Sequence, residues 1–218
     1  MLRNTTIVPT ILSNDKQDYR AQLERLNPIA KRFQIDVADT SFAQAETIDI
    51  TNVWWPKTWQ ADLHLMTAIP SNALEDIIKL APSLCILHAE AQEDLLPIFA
   101  KLKERGIKVG VALLPGTYPG SVKQYIEAAD HVLIFAGQLG VQGVQADMMQ
   151  IEKVQIIRDI KPEVEIGWDG GANLSNVRAL AHAGIDVINV GSALAKADDP
   201  VKMFELLVAE TDKNGVVI

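Results

Sequence analysis

Eight short apolar runs recur along the 218 residues, and helical patterns fill most of the intervals between them. The runs are IVPTIL (7–12), FQIDV (33–37), ADLHLM (61–66), LCILHA (84–89), IKVGVALL (107–114), HVLIFA (131–136), VEIGW (164–168) and DVINVG (186–191). Strands of a parallel sheet are buried on both faces and therefore read as near-continuous apolar stretches. Segments 92–105 and 147–160 instead carry apolar residues at three- and four-residue spacings, the mark of an amphipathic helix. Segment 173–184 starts with an asparagine cap and stops at Gly184, and 198–210 has an aspartate cap with proline near its start. With no interior linker, this alternation predicts one α/β domain over residues 1–218, a closed (β/α)8 TIM barrel. An open doubly wound sheet is the competing arrangement, but ILSNDKQ stands where G-x-G-x-x-G would follow its first strand. One unit is irregular. Between Asp39 and Asp62 no good helix is present, and Pro56 with Trp54, Trp55 and Trp59 interrupts the segment. The second βα unit is expected to be short or replaced by a loop.

An apolar fraction of 48% supplies a substantial core and excludes a mainly disordered chain. The formal net charge of −8 argues against nucleic acid or an anionic membrane surface as a partner. A small anion remains open to it, through backbone N–H groups at helix starts. Cys85 is the only cysteine, so no disulfide forms within the chain and a reducing cytosol fits best. The start of the chain lacks the apolar core of a signal peptide, and nowhere do 18 apolar residues run together. The expectation is a cytoplasmic protein with no membrane segment.

In such a barrel the chemistry sits at the C-terminal ends of the strands. Polar residues collect there: Ser13 after strand 1, Asp36 and Asp39 on strand 2, His64 on strand 3, His88 and Glu90 on strand 4. Strand 6 runs into GQLGVQG (137–143), strand 7 into Asp169-Gly170-Gly171 and strand 8 into Gly191-Ser192. The last two loops are where barrels commonly bind phosphate, and their glycines let backbone approach an anion closely. Asp36, His64 and Asp169 could converge on the barrel axis. Two carboxylates and an imidazole suit a divalent metal, and two aspartates on opposite sides of a substrate can remove and return a proton. His131, at the other end of strand 6, and His182, on a helix, read as structural or exposed. Trp168 is open to either reading.

These residues, in this order, resemble the ribulose-phosphate 3-epimerase family, through PTILSND, QIDVAD, DLHLM, LHAEA, WDGGANL and NVGSAL. The resemblance implies a barrel that interconverts D-ribulose 5-phosphate and D-xylulose 5-phosphate. It implies Asp36 and Asp169 as the acid/base pair, with Asp36, His64 and Asp169 holding a divalent metal (zinc, manganese or iron). Ser13 would lie near the sugar, and Gly170, Gly171, Gly191 and Ser192 around its phosphate. The chain departs from the family pattern H-x-D-x-M-D-G at strand 2, where Gln34 replaces the first histidine and Ala38 the methionine. It departs again after strand 6, where QLGVQGVQ replaces N-P-G-F-G-G-Q. A glutamine carbonyl is a harder ligand than imidazole.

The leading expectation is therefore a sugar-phosphate epimerase acting on a phosphorylated sugar, with a homo-oligomer possible through outer helices or loops. The alternative is a catalytically silent or altered-specificity relative that binds a sugar phosphate or a protein partner. A barrel decarboxylase, with its D-x-K-x-x-D pattern, is weaker, because DLHLMT (62–67) lacks both the lysine and the second aspartate.

Overall fold

The computed structural model describes residues 5–212 except Ala45 and Gln142. Eight strands run β1 (Thr6–Ile11), β2 (Arg32–Ala38), β3 (Gln60–Met66), β4 (Leu84–His88), β5 (Lys108–Leu113), β6 (His131–Phe135), β7 (Glu165–Asp169) and β8 (Val187–Val190). All pair in parallel with their sequence neighbours, and β8 returns to β1, closing the barrel. The (β/α)8 expectation holds, and each apolar run lies within a residue or two of a strand.

The helices are α1 (Lys16–Leu26), α2 (Leu74–Leu80), α3 (Leu96–Glu104), α4 (Lys123–Ala128), α5 (Lys153–Ile160), α6 (Val177–His182), α7 (Ser192–Ala195) and α8 (Pro200–Thr211). Several are shorter than their sequence patterns. In 147–160 the first turn is a tight 3-10 turn over Met148–Glu152, whose start is capped by the Asp147 carboxylate accepting from Met149 N–H. Asn173 does not cap α6. Its side chain closes a local turn by accepting from Ser175 N–H and Oγ–H, so the helix begins about a turn later. Asp199 caps α8 as expected, accepting from Lys202 N–H just before Pro200.

The irregular second unit is also as expected. Between β2 and β3 the described residues hold only a 3-10 turn, Ile50–Asn52. Tryptophans partly fill the vacant helix position: Trp59 is buried, stacks on Phe33 with ring centroids 3.5 Å apart, and donates from Nε1 to Asn27. Trp54 packs edge-on against Tyr19 of α1 and stays half exposed.

Alternation along the strands divides their side chains between the outer apolar layer under the helices and the barrel interior. Trp168 belongs to the outer layer, fully buried, and its Nε1–H donates to Gly170 O, bracing the turn after β7. Leu84, Ile86, Ala112 and Leu133 form a small separate interior cluster. Below it an ionic group closes the barrel floor: Arg32 reaches Asp62 at 2.7 Å and Glu165 at 2.7 and 2.8 Å, and His131 Nδ1 is 2.7 Å from Glu165. His131 is thus structural, at the end away from the candidate site. Gly167 makes room for it, since a Cβ there would stand 2.4 Å from His131 Nε2. Above the apolar cluster the interior turns polar.

Candidate functional site

At the upper end of the barrel four interior side chains meet. Gln34 and Asp36 share the inner face of β2, His64 lies beside Asp36 in register on β3, and Asp169 ends β7. Gln34 Nε2–H groups donate to Asp36 Oδ1 at 2.9 Å and to Asp169 Oδ2 at 2.6 Å. His64 Nδ1 is 3.1 Å from Asp36 Oδ1 and 3.5 Å from Asp169 Oδ2. The sequence expectation that these strand ends converge is met. One ligand atom each from Asp36, His64 and Asp169 lies within 4.8 Å of the others, close enough to share one metal ion.

Burial shapes the charges. Loss of solvent, and then the nearby Asp169 carboxylate, push the Asp36 carboxyl up to about 6. Burial alone would lower the His64 imidazolium, but hydrogen bonds and charge from Asp169 and Asp36 outweigh it and raise the group to about 9. The site therefore favours a cation between its two acids, whether a proton on His64 or a metal in its place. Gln34 is fully buried, and its Oε1 has no hydrogen-bond partner.

By sequence His88 could equally be a satisfied polar residue or a catalytic one, and in the fold it stands directly behind His64. The two Nε2 atoms are 2.9 Å apart, and Phe42 and Phe135 pack against the His88 ring. Burial pushes the His88 imidazolium down to about 4, opposed by Glu90, so the ring is neutral at neutral pH. Glu90 Oε2 lies 3.4 Å from His88 Nδ1, and Glu90 is held by Leu114 N–H and the Thr117 hydroxyl. A neutral His88 with its proton on Nδ1, toward Glu90, offers Nε2 as an acceptor. His64 Nε2–H is then the donor of that contact, and His64 Nδ1 is turned to the acids.

A cavity of about 50 Å³ opens above this cluster, lined by Thr10, Asp36, Asp169, Gly170, Gly171, Asn189, Gly191 and Ser192, and walled by residues of the loop after β6. Ser13 does not line it. The Ser13 hydroxyl is occupied locally, donating to Asp15 O and accepting from Asp15 N–H. Thr10, in register with Gln34, lines the cavity instead, and its Oγ1 is buried without a partner, as is Asn189 Oδ1. Strand parity carried that signal, because Thr10 lies on the same side of β1 as its inward neighbours. Asp39 also faces elsewhere: it holds Ser41 and Thr67 and lines an outer groove of about 510 Å³ beside the irregular unit.

Gly170 and Gly171 are required by the backbone. They adopt φ of +116° and +69°, and a Cβ would stand 2.2 Å from Gly137 N or 2.3 Å from Ala146 N. The turn after β7 therefore packs directly on the segment after β6, and both line the cavity. Gly143 of that segment lies near Ser192, and a Cβ on it would be 3.0 Å from Lys196 Nζ. Gln142 lies outside the described residues. Among the described residues, no helix is long and apolar enough to cross a membrane.

Comparison with known proteins bears on the family and the fold. The chain is 29% identical over 202 residues to ribulose-phosphate 3-epimerase of Schizosaccharomyces pombe, covering 89% of this chain and 88% of that one. It is also 29% identical over 209 residues to the cytoplasmic isoform of ribulose-phosphate 3-epimerase from Oryza sativa subsp. japonica, covering 92% of each. Among solved structures, 3-hexulose-6-phosphate synthase from Salmonella typhimurium superposes with a TM-score of 0.66 at 17% identity, covering 95% of this chain and 98% of that one, and shares the fold. The sequence model of the ribulose-phosphate 3 epimerase family matches residues 6–195, and the chain belongs to that family.

Proposed function

We propose that the protein is a pentulose-phosphate 3-epimerase, interconverting D-ribulose 5-phosphate and D-xylulose 5-phosphate by proton transfer between Asp36 and Asp169. The observation that carries this reading is the meeting of those two acids with His64 beneath a cavity flanked by the turns after β7 and β8. One carboxylate takes the proton from C3 as the C–H electrons move onto the C2 carbonyl oxygen. The other acid, protonated, returns a proton to the opposite face of C3 as those electrons come back. Raised to about 6, the Asp36 carboxyl exchanges its proton closer to neutral pH than an ordinary carboxyl does, and the two acids exchange roles when the direction reverses.

The donor set fits a divalent cation: two carboxylates and an imidazole whose Nδ1 is turned toward them. Asp36, His64 and Asp169 would hold zinc, manganese or iron there. When bound, the cation supplies positive charge to the oxygens that become negative as the C3 proton leaves.

Gly170, Gly171, Gly191 and Ser192 are assigned to the phosphate, with Lys196 adding a positive charge beside Gly143 and Ser192. Thr10 and Asn189 bring unpartnered oxygens to the sugar hydroxyls, a role first given to Ser13.

A second reading has one specific observation behind it. Gln34 ties both acids together by hydrogen bonds, as it would in a relative that binds the sugar phosphate but no longer turns it over. Steady-state assay of D-xylulose 5-phosphate formation separates the two. Turnover that collapses in Asp169→Asn supports the epimerase. Tight phosphosugar binding with no turnover under any divalent cation supports the silent binder.

A further inference from the structure

We propose that Gln34 is a reversible ligand, whose amide turns over to present Oε1 to a bound cation and so tunes the centre toward oxygen-preferring metals. This rests on reading Asp36, His64 and Asp169 as a cation centre. The observation is the asymmetry of the buried amide. Its nitrogen is spent on both acids, at 2.9 and 2.6 Å, while its oxygen has no partner.

An amide nitrogen is a donor only and cannot ligate a cation, whereas the carbonyl oxygen can. A half-turn about the last side-chain bond exchanges the two atoms within nearly the same shape, so the barrel wall need not move. In one orientation Gln34 holds the carboxylates together by hydrogen bonds. In the other, Oε1 takes the place now filled by Nε2, facing the same two carboxylates that His64 Nδ1 faces. Cation binding and the amide turn are therefore one coupled event. The acids keep a partner in both states, amide N–H groups in one and the cation in the other.

The resulting donors are three oxygens and one nitrogen. Carboxylate and carbonyl oxygens suit manganese, and ferrous iron is comfortable in mixed oxygen and imidazole sets, whereas zinc gains more from a second imidazole. Gln34 does not reverse the general order in which zinc binds more tightly than manganese. It narrows the gap.

The test is the affinity of the purified, chelator-stripped protein for Mn²⁺ and Zn²⁺, measured by calorimetry and chelator competition, with no substrate present. Gln34→His is expected to tighten zinc by roughly tenfold or more while changing manganese much less. Gln34→Ala is expected to weaken manganese by roughly tenfold, and the isosteric Gln34→Glu to retain it. Circular dichroism verifies that each variant is folded, and Gln34→Glu keeps the test decisive if the alanine variant is not. The inference is overturned if Gln34→His strengthens both metals equally. It is also overturned if Gln34→Ala binds manganese like the parent, if Gln34→Glu loses it, or if the parent binds neither metal. Because the readout is metal affinity, absent turnover with these shifts intact would refute the epimerase reading alone.

Discussion

The Nε2 atoms of His64 and His88 face each other at 2.9 Å inside the barrel, so one ring must donate and the other accept. With His88 neutral and its Nδ1 toward Glu90, the donor is His64. His88 is thus a positioning residue, acting through the orientation of the His64 ring. Replacing it with phenylalanine leaves the His64 Nε2–H buried without an acceptor, at a cost of about 1–3 kcal/mol. Activity is expected to fall roughly 10–100-fold through kcat and metal affinity more than KM. Denaturant unfolding, steady-state kinetics and metal titration check this together; an unchanged metal affinity would reject the positioning role.

At the opposite end, Glu165 links Arg32 to His131. Burial works to raise this carboxyl, but the Arg32 and His131 contacts outweigh it and hold the group well below its ordinary value of 4.5. A depressed carboxyl contributes stability above its unfolded-state pKa and loses it as pH falls toward the folded-state value. The stability difference between the parent and Glu165→Gln should therefore be fully present near neutral pH and shrink as pH falls below 4.5. Asp62, whose burial raises its carboxyl, remains in both proteins, so their difference chiefly reports Glu165. Urea unfolding across that range measures it, and turnover at neutral pH should be nearly unaffected.

Gly170 combines a φ of +116° with a Cβ position 2.2 Å from Gly137 N. Gly170→Ala is expected to destabilise the fold by about 1–3 kcal/mol and to displace the segment after β6. A drop in melting temperature together with a raised KM for phosphosugar is the expected pair of results. A parent-like melting temperature would mean that the two turns can separate freely.

Lys196 carries the positive charge beside Gly143 and Ser192. Lys196→Ala should raise KM for a phosphorylated pentulose by roughly tenfold and leave kcat nearly unchanged. The unphosphorylated pentulose should lose nothing. Inhibition by inorganic phosphate should weaken in parallel.

The barrel was legible because buried parallel strands leave continuous apolar runs, and because acids and histidines at their ends have few other reasons to collect. Asp36, His64 and Asp169 were found this way, and their meeting follows from barrel closure. Ser13 rests on the resemblance, whereas Thr10, which lines the cavity in register with Gln34, follows only from the strand register. The role of His88 stayed open in the sequence because β4 pairs Ile86 with His64, so the contact between the imidazoles depends on how the side chains lean across the ladder. Asn173 shows the local limit. A capping residue names a turn as readily as a helix start, and here it closes the turn.

Proton transfer at C3 between Asp36 and Asp169 leaves an isotopic trace in the substrate. It is tested most directly by following the C3 proton of D-ribulose 5-phosphate by NMR in D₂O, with manganese or zinc added. Deuterium is expected at C3 of both epimers, with exchange falling by roughly 10²–10⁴-fold in Asp36→Asn and in Asp169→Asn. No exchange by the parent protein with any divalent cation, or exchange undiminished in both variants, would contradict it.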